Sequence, residues 1–243
     1  MATFVLVHGA WHGNWCWKKL APLLEAAGHG VVAPDMPAHG RDTTPVAEVT
    51  LQSYADAICT AVNAQTESVI LVGHSLGGAM ITQAAETCPD NIRKLVYLTA
   101  FLLPNGVARQ GYGVDVPGSL VPPNLVVAED KATVAIRDEG FGPAFCHDCP
   151  DEDVEMARAL TRPEPMAGIV TPVRHTPERF GRIPRAYIEC TEDRALMPAV
   201  QRRMYSETPV DQVIQMATSH SPFFAAPNEL ASHLDTLAGD SIR

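Results

Sequence analysis

The sequence predicts an α/β fold, a mainly parallel six-stranded sheet flanked by helices, and three observations carry that prediction. Short apolar runs recur along the chain with longer helix-compatible segments between them, the rhythm of a parallel sheet covered on both faces. The third run leads without a break into Gly73-His74-Ser75-Leu76-Gly77, which opens into a helix-prone segment. At 243 residues and 46% hydrophobic, the chain is also long enough to bury one large core.

Taken in order, Thr3–Val7 is the first strand, and Trp17–Ala27 is helix-compatible until it stops at Gly28. Gly30–Ala33 is the second strand. Leu51–Ala64 then carries Tyr54, Ala55, Ile58 and Val62 at a helical period. Ser68–Val72 has the length and β-branched content of a buried strand, and Gly78–Glu86 follows as a helix. Lys94–Leu98, Arg185–Cys190 and Gln212–Met216 complete the set, with right-handed crossovers between parallel neighbours. The rhythm fails between Pro104 and Pro184, where prolines and glycines punctuate short segments. A helix over Asp151–Leu160 begins there after Pro150, with acidic residues in its first turn. This stretch reads as a cap inserted after the fourth strand of a single domain, with core residues 1–104 and 184–243 and a cap of about 105–183. No linker, internal repeat or low-complexity tract interrupts the chain.

Composition narrows the partners. The formal charge of -10 comes from 28 acidic and 18 basic residues spread along the chain, with no Lys/Arg cluster to follow a phosphate backbone, so nucleic acid is not expected. The N-terminus enters a strand without a basic leader, and no run approaches the ~20 apolar residues of a membrane span, so a cytoplasmic protein with no membrane partner is expected. In such a setting the six cysteines are expected to be reduced, buried thiols. Cys146-His147-Asp148-Cys149 has the C-x-x-C spacing of redox and zinc sites, yet no second C-x-x-C and no H-x-x-x-H accompanies it, so a structural role in the cap is the reading.

Strand, sharp turn at a serine, then helix is the layout of a nucleophile elbow. Glycines at 73 and 77 relieve crowding around the apex, and Ser75 projects above the carboxyl end of the sheet beside the free N–H groups of the following helix. A serine hydroxyl is a weak nucleophile and needs a base, which in turn needs a group to hold its tautomer. The expected chain order is serine, acid, histidine. Asp193 lies three residues beyond the fifth strand and His220 four beyond the sixth, both on loops at carboxyl ends of strands, where Ser75 also sits. Glu192 is the neighbouring carboxylate and ranks below Asp193. The remaining histidines lack this placement, and His74 is expected to point away from the site. The first strand ends in His8-Gly9-Ala10-Trp11-His12-Gly13, whose turn can aim a backbone N–H at the reaction centre; Ala10 and Leu76 are the expected oxyanion-hole donors. Gly9, Trp11, His12, Phe101 and Ser221 are the candidate pocket residues.

These residues resemble the α/β-hydrolase superfamily over essentially the whole chain. The opening His8-Gly9-Ala10-Trp11-His12-Gly13-Asn14-Trp15-Cys16-Trp17, the Asp35-Met36-Pro37-Ala38-His39-Gly40 loop, the elbow, Thr191-Glu192-Asp193 and Ser219-His220-Ser221 are most similar to one branch. That branch holds plant methylesterases, the hydroxynitrile lyases related to them and bacterial carboxylesterases of similar length. The resemblance implies an α/β-hydrolase fold with a small helical cap, no cofactor, no metal and a homodimer. At the matching positions it implies Ser75, Asp193 and His220 as the triad and the amides of Ala10 and Leu76 as the oxyanion hole. Lyases of this fold carry a hydroxyl or amide side chain where this chain has Gly9, and one group has a lysine where it has Ser221, so cyanohydrin cleavage falls behind ester hydrolysis. The expected function is therefore a serine carboxylesterase acting on a medium-sized, fairly apolar small-molecule ester. Lactones and pyrethroid-type esters lie within the same chemistry, and a small-molecule receptor that retains a hydrolase pocket is the rival from another class. The cap segment Phe145-Cys146-His147-Asp148-Cys149-Pro150 can be placed but assigns no substrate.

Overall fold

The structure is a computed structural model that describes residues 1–112 and 116–239; the expected cap span of 105–183 thus includes three residues outside this description. The main sheet is built from β1 (Thr3–Val7), β2 (Gly30–Val32), β3 (Val69–His74), β4 (Ile92–Leu98), then, after the cap segment, β8 (Arg185–Cys190) and β9 (Gln212–Met216). Its order is β2-β1-β3-β4-β8-β9, with every neighbouring pair parallel. All carboxyl ends therefore lie along one rim. The strand order reverses between β1 and β3, the place where open parallel sheets form a crevice for ligands.

β3 is buried at every position, and β4 at all but Arg93, as strands covered on both faces must be. Around them lie α1 (Leu20–Ala26), α2 (Leu51–Asn63), α3 (Gly77–Thr87), α7 (Pro198–Glu207), α8 (Pro222–Ala225) and α9 (Pro227–Gly239). The first helix begins later than the expected Trp17: a 3-10 turn runs Asn14–Lys18, and the α-helix starts at Leu20, which places Pro22 in its first turn, where its missing N–H costs nothing. Thr50 caps α2 reciprocally with Ser53, each side chain accepting the other's backbone N–H at 2.9 Å, and the buried face carries Tyr54, Ala55, Ile58 and Val62, as the periodicity requires.

Between β4 and β8 the chain leaves the main sheet. This segment contains the helices α4 (Asp138–Phe145), α5 (Asp151–Leu160) and α6 (Met166–Val170), and also an antiparallel sheet of β5 (Leu125–Val127), β6 (Thr133–Ile136) and β7 (Glu164–Pro165). The cap is thus helical only in part. β5 and β6 form a hairpin whose turn, Ala128 to Ala132, places Lys131 at φ 58° and lets the Asp130 carboxylate accept the Ala132 N–H at 2.9 Å. The cap is fastened to the core at Asp153 of α5, fully buried, whose carboxylate pairs with Lys18 at 2.9 Å and with Lys19, holding the acid below its usual range against the cost of burial.

The cysteines correct one expectation. Cys59, on the inner face of α2, and Cys88, just beyond α3, form a disulfide with their Cα atoms 5.9 Å apart. The close packing of α2 on α3 brings two positions 29 residues apart to bonding distance, which no sequence spacing reveals. Cys16, Cys146, Cys149 and Cys190 are thiols. Among the described residues, no helix is long and apolar enough to cross a membrane.

Candidate active site

Ser75 follows β3, Asp193 follows β8 and His220 follows β9, so the parallel register delivers all three to one rim. Ser75 adopts φ 53°, a left-handed conformation that a non-glycine residue reaches only under constraint. The constraint is visible: the Ser75 N–H donates to Leu98 O at 3.3 Å, while its carbonyl accepts from Gly78 at 3.0 Å and Phe101 at 2.9 Å. The glycines follow from the same crowding. A Cβ on Gly73 would stand 2.6 Å from the Gly77 carbonyl oxygen, and one on Gly77 would stand 2.8 Å from the carbonyl oxygens of both Val7 and His8.

The His220 Nδ1 lies 2.6 Å from the Asp193 Oδ2, with both side chains almost wholly buried. Four further donors converge on that carboxylate. Oδ1 accepts the backbone N–H groups of Ala195 at 2.7 Å and Leu196 at 2.9 Å, and Oδ2 accepts the Thr99 hydroxyl at 2.5 Å and the Gln201 amide at 3.4 Å. An acid so surrounded is an acceptor fixed in place, which makes Nδ1 the protonated nitrogen of His220 and leaves Nε2 an unprotonated acceptor. Thr99 sits directly beyond β4, at φ 39°. Its place at a strand's carboxyl end was the signal that could have picked it out; Gln201, on the face of α7, offered none.

Ser75 and His220 line one cavity with Arg109. Trp11, Phe101, Val121, Phe145, Ala195 and Leu196 form the rest of its wall, and it encloses only about 20 Å³. Space of that size holds a single water, so an ester enters only if the wall opens. Of the candidate pocket residues, Trp11 and Phe101 line the cavity, and Gly9 lies beneath it, where a Cβ would come within 2.7 Å of the Ser75 Cβ. His12 and Ser221 do not line it. The His12 Nδ1 donates inward to Ala10 O at 2.7 Å, its ring lies among Trp15, Phe141, Phe145 and Phe223, and burial pulls its pKa from 6.5 to about 4. Ser221 accepts instead from the Cys146 thiol at 3.4 Å. His74 does not line the cavity either, but it is closer to the chemistry than expected: its Nε2 donates to the His220 carbonyl at 2.8 Å, and the two rings lie 4.7 Å apart. Burial, with His220 next to it, holds His74 neutral.

The turn after β1 closes with a His12 N–H to Gly9 O bond at 3.3 Å and holds Trp11 at φ 63°. Neither the Ala10 amide nor the Leu76 amide has an acceptor among the described residues. The cap fixes this turn. Trp11 Nε1 donates to Val134 O at 2.8 Å, Arg162 N donates to Trp11 O at 3.0 Å, and Trp11 N reaches Glu164 Oε2 at 3.4 Å. Glu164, fully buried, also accepts from His39 Nε2 at 2.8 Å and the Tyr54 hydroxyl at 3.0 Å. His39 Nδ1 also faces the Pro37 carbonyl at 3.0 Å, so both ring nitrogens have oxygen partners; burial opposes a charge on the ring, but Glu164 outweighs it and raises the pKa. Sequence reasoning missed the Glu164–His39–Tyr54 cluster, since the three positions are more than a hundred residues apart at the widest and carry no spacing rule.

The Cys146-x-x-Cys149 segment lies against the histidine loop. Besides the Cys146–Ser221 bond, the Cys149 sulfur lies 3.9 Å from the Ser219 hydroxyl and 3.8 Å from the Ser221 carbonyl, and Asp148 accepts the Ser219 N–H at 2.8 Å. Its place is therefore beside residue 220, as a brace from the cap.

A strand-end serine at a left-handed elbow, sharing one rim with a buried imidazole–carboxylate pair on this sheet order, defines a fold family, and the profile of the alpha/beta hydrolase family matches residues 4–233. The chain belongs to the alpha/beta hydrolase family. Within it the relatives include Methylesterase 1 of Arabidopsis thaliana, 34% identical over 97% of this chain and 95% of that protein. Alpha-hydroxynitrile lyase of the same plant is 33% identical over 98% of this chain and 97% of its own. Among solved structures, a pyrethroid hydrolase from Sphingobium faniae JZ-2 superposes with a TM-score of 0.88 at 30% identity, covering 98% of this chain and 97% of that one.

Proposed function

We propose that this alpha/beta hydrolase is a serine carboxylic ester hydrolase in which Ser75 attacks the ester carbonyl, His220 takes the proton and returns it to the leaving alcohol, and Asp193 holds His220 in the Nδ1–H tautomer. The amides of Ala10 and Leu76 receive the oxygen that becomes negative in the tetrahedral intermediate, and water then releases the acyl group by the same path in reverse. The observation that carries this reading is the 2.6 Å His220–Asp193 contact, buried, on a histidine that shares its cavity with Ser75. The esterase names of the relatives support it, as does the absence of a side chain at Gly9, where a bulkier residue would collide with Ser75.

The apolar wall of Trp11, Phe101, Val121, Phe145 and Leu196 suits a medium-sized ester with a hydrocarbon acyl or alcohol part. Hydrolysis of 4-nitrophenyl butyrate by the purified chain, with Ser75→Ala as the blank, tests the reading. Loss of the nucleophile is expected to remove about 10⁶-fold of kcat, and a serine-directed phosphonate should add its mass at Ser75 alone. Full activity in Ser75→Ala ends the proposal.

A further inference from the structure

Arg109 is out of keeping with the rest of the cavity wall. It sits in the cap, half-buried, and lines the same small cavity as Ser75 and His220. Its guanidinium lies over the Phe101 ring, with the central carbon 5.4 Å from the ring centroid. None of its five N–H donors has an acceptor among the described residues, and no carboxylate pairs with it. Glu164, an acid that influences it electrostatically, is already taken by His39, Tyr54 and Trp11. Burial correspondingly pulls the guanidinium pKa down, with Glu164 acting in the opposite sense.

A half-buried guanidinium that faces the same cavity as Ser75 and has no acceptor among the described residues is a donor fork open to a ligand. A carboxylate matches it with two parallel bonds, while Phe101 holds the fork flat. Stacking alone does not explain the choice of residue, because a neutral side chain would cover Phe101 as well without a charge to desolvate. Apart from Ser75 and His220 the rest of the wall is apolar, so Arg109 is the one cationic group on the cavity that the serine lines.

We propose that Arg109 is a specificity-determining residue that binds an ionised carboxylate on the substrate, so that the preferred substrates are half-esters of dicarboxylic acids, with the ester carbonyl at Ser75 and the free carboxylate at Arg109. This rests on the ester hydrolase reading above and adds to it the class of acid.

The test uses matched methyl esters that differ only at the far end: monomethyl succinate, glutarate and adipate against methyl butyrate, pentanoate and hexanoate, with wild type, Arg109→Gln and Arg109→Lys. Wild type is expected to favour at least one half-ester over its neutral partner by about 10–100-fold in kcat/KM, the range of one well-made charged hydrogen-bond pair. Arg109→Gln should collapse that ratio at least tenfold, and Arg109→Lys, which keeps the charge but loses the fork, should fall between. No half-ester preference in wild type, or a ratio unmoved by Arg109→Gln, overturns the proposal. If no ester of either kind is hydrolysed, the ester hydrolase reading fails, and calorimetric titration with glutarate and adipate decides the Arg109 site by itself. Binding that Arg109→Gln abolishes supports the site, and no binding to wild type overturns it.

Discussion

Asp193→Asn isolates the step on which the proposed chemistry depends, because the substitution keeps the shape of the side chain and changes only what its two ends can do. One carboxylate oxygen of Asp193 faces the backbone N–H groups of Ala195 and Leu196 at 2.7 and 2.9 Å. Those groups can only donate, so the new side chain must turn its carbonyl oxygen toward them and its NH₂ toward Thr99, Gln201 and His220. The NH₂ then donates to His220 Nδ1, which has to give up its proton, and the imidazole switches to the Nε2–H tautomer. The nitrogen needed by Ser75 becomes a donor instead of a base. An equivalent tautomer loss in serine proteases costs about 10⁴-fold in kcat, or about 5 kcal/mol of barrier. The assay is steady-state hydrolysis of 4-nitrophenyl butyrate at pH 7.5, with circular dichroism and a melting curve to establish that the variant is folded. A folded Asp193→Asn protein within tenfold of wild type would refute the tautomer argument.

Three further outcomes are expected. Gly9→Ala places a Cβ 2.7 Å from the Ser75 Cβ and 3.1 Å from the His74 carbonyl oxygen, so it should displace the elbow or the Ala10 amide and lower kcat about 10²-fold or more with the fold intact by circular dichroism. Cys59→Ser opens a 29-residue loop and should cost about 3–4 kcal/mol, seen as a melting temperature about 10 °C lower and reproduced by reducing the wild type. Stability measured by urea unfolding should fall on both sides of neutrality: His12, held neutral with its pKa brought from 6.5 to about 4, contributes in full above pH 6.5 and loses about 3 kcal/mol as the pH drops from 6.5 to 4. His39, with its pKa raised, contributes in full below pH 6.5 and loses its share as the pH climbs through the folded value, so Glu164→Gln should flatten the alkaline limb specifically.

What the sequence shows and what it hides divide along the range of the interactions. β1 and β8 end where their apolar runs end, because the composition of a buried parallel strand is dictated by the strand itself, and the edge strand β9 keeps its expected bounds by pairing with β8 along its whole length. β3 runs two residues further than its apolar run, through His74, because Gly73 and His74 pair with Tyr97 and Leu98 of β4, and β4 starts early at Ile92 opposite Val69. Ser75, Asp193 and His220 are legible for a related reason: parallel strands put their carboxyl ends on one rim, so position along the chain translates into position in space. The β5–β6 hairpin was open to the same reading, with two runs rich in β-branched residues on either side of Glu129-Asp130-Lys131, but the surrounding prolines and glycines mask it. The Cys59–Cys88 bond, Arg109 and the Glu164 cluster depend on how the cap and the helices pack, and packing partners far apart in the chain leave no local mark.

The Glu164 cluster couples two properties usually treated apart. Trp11 stands in a left-handed conformation that costs on the order of 1–3 kcal/mol and persists only where the surroundings over-determine it. Those surroundings belong to the cap: Val134, Arg162 and Glu164 take the indole N–H, the carbonyl and the amide of Trp11, while Glu164 is itself held by His39 and Tyr54 of the core. The direction of the Ala10 amide, one residue earlier, is therefore set by the seating of the cap. The cavity beside it is too small for any ester while the cap is seated in this way. On the proposed mechanism, admitting an ester has to loosen the contacts that orient the Ala10 amide, and that amide is aimed again only when those contacts re-form. On the same proposal, cap substitutions that loosen the Trp11 turn are expected to lower kcat as well as raise KM, because a poorly fitting ester leaves that turn unclamped.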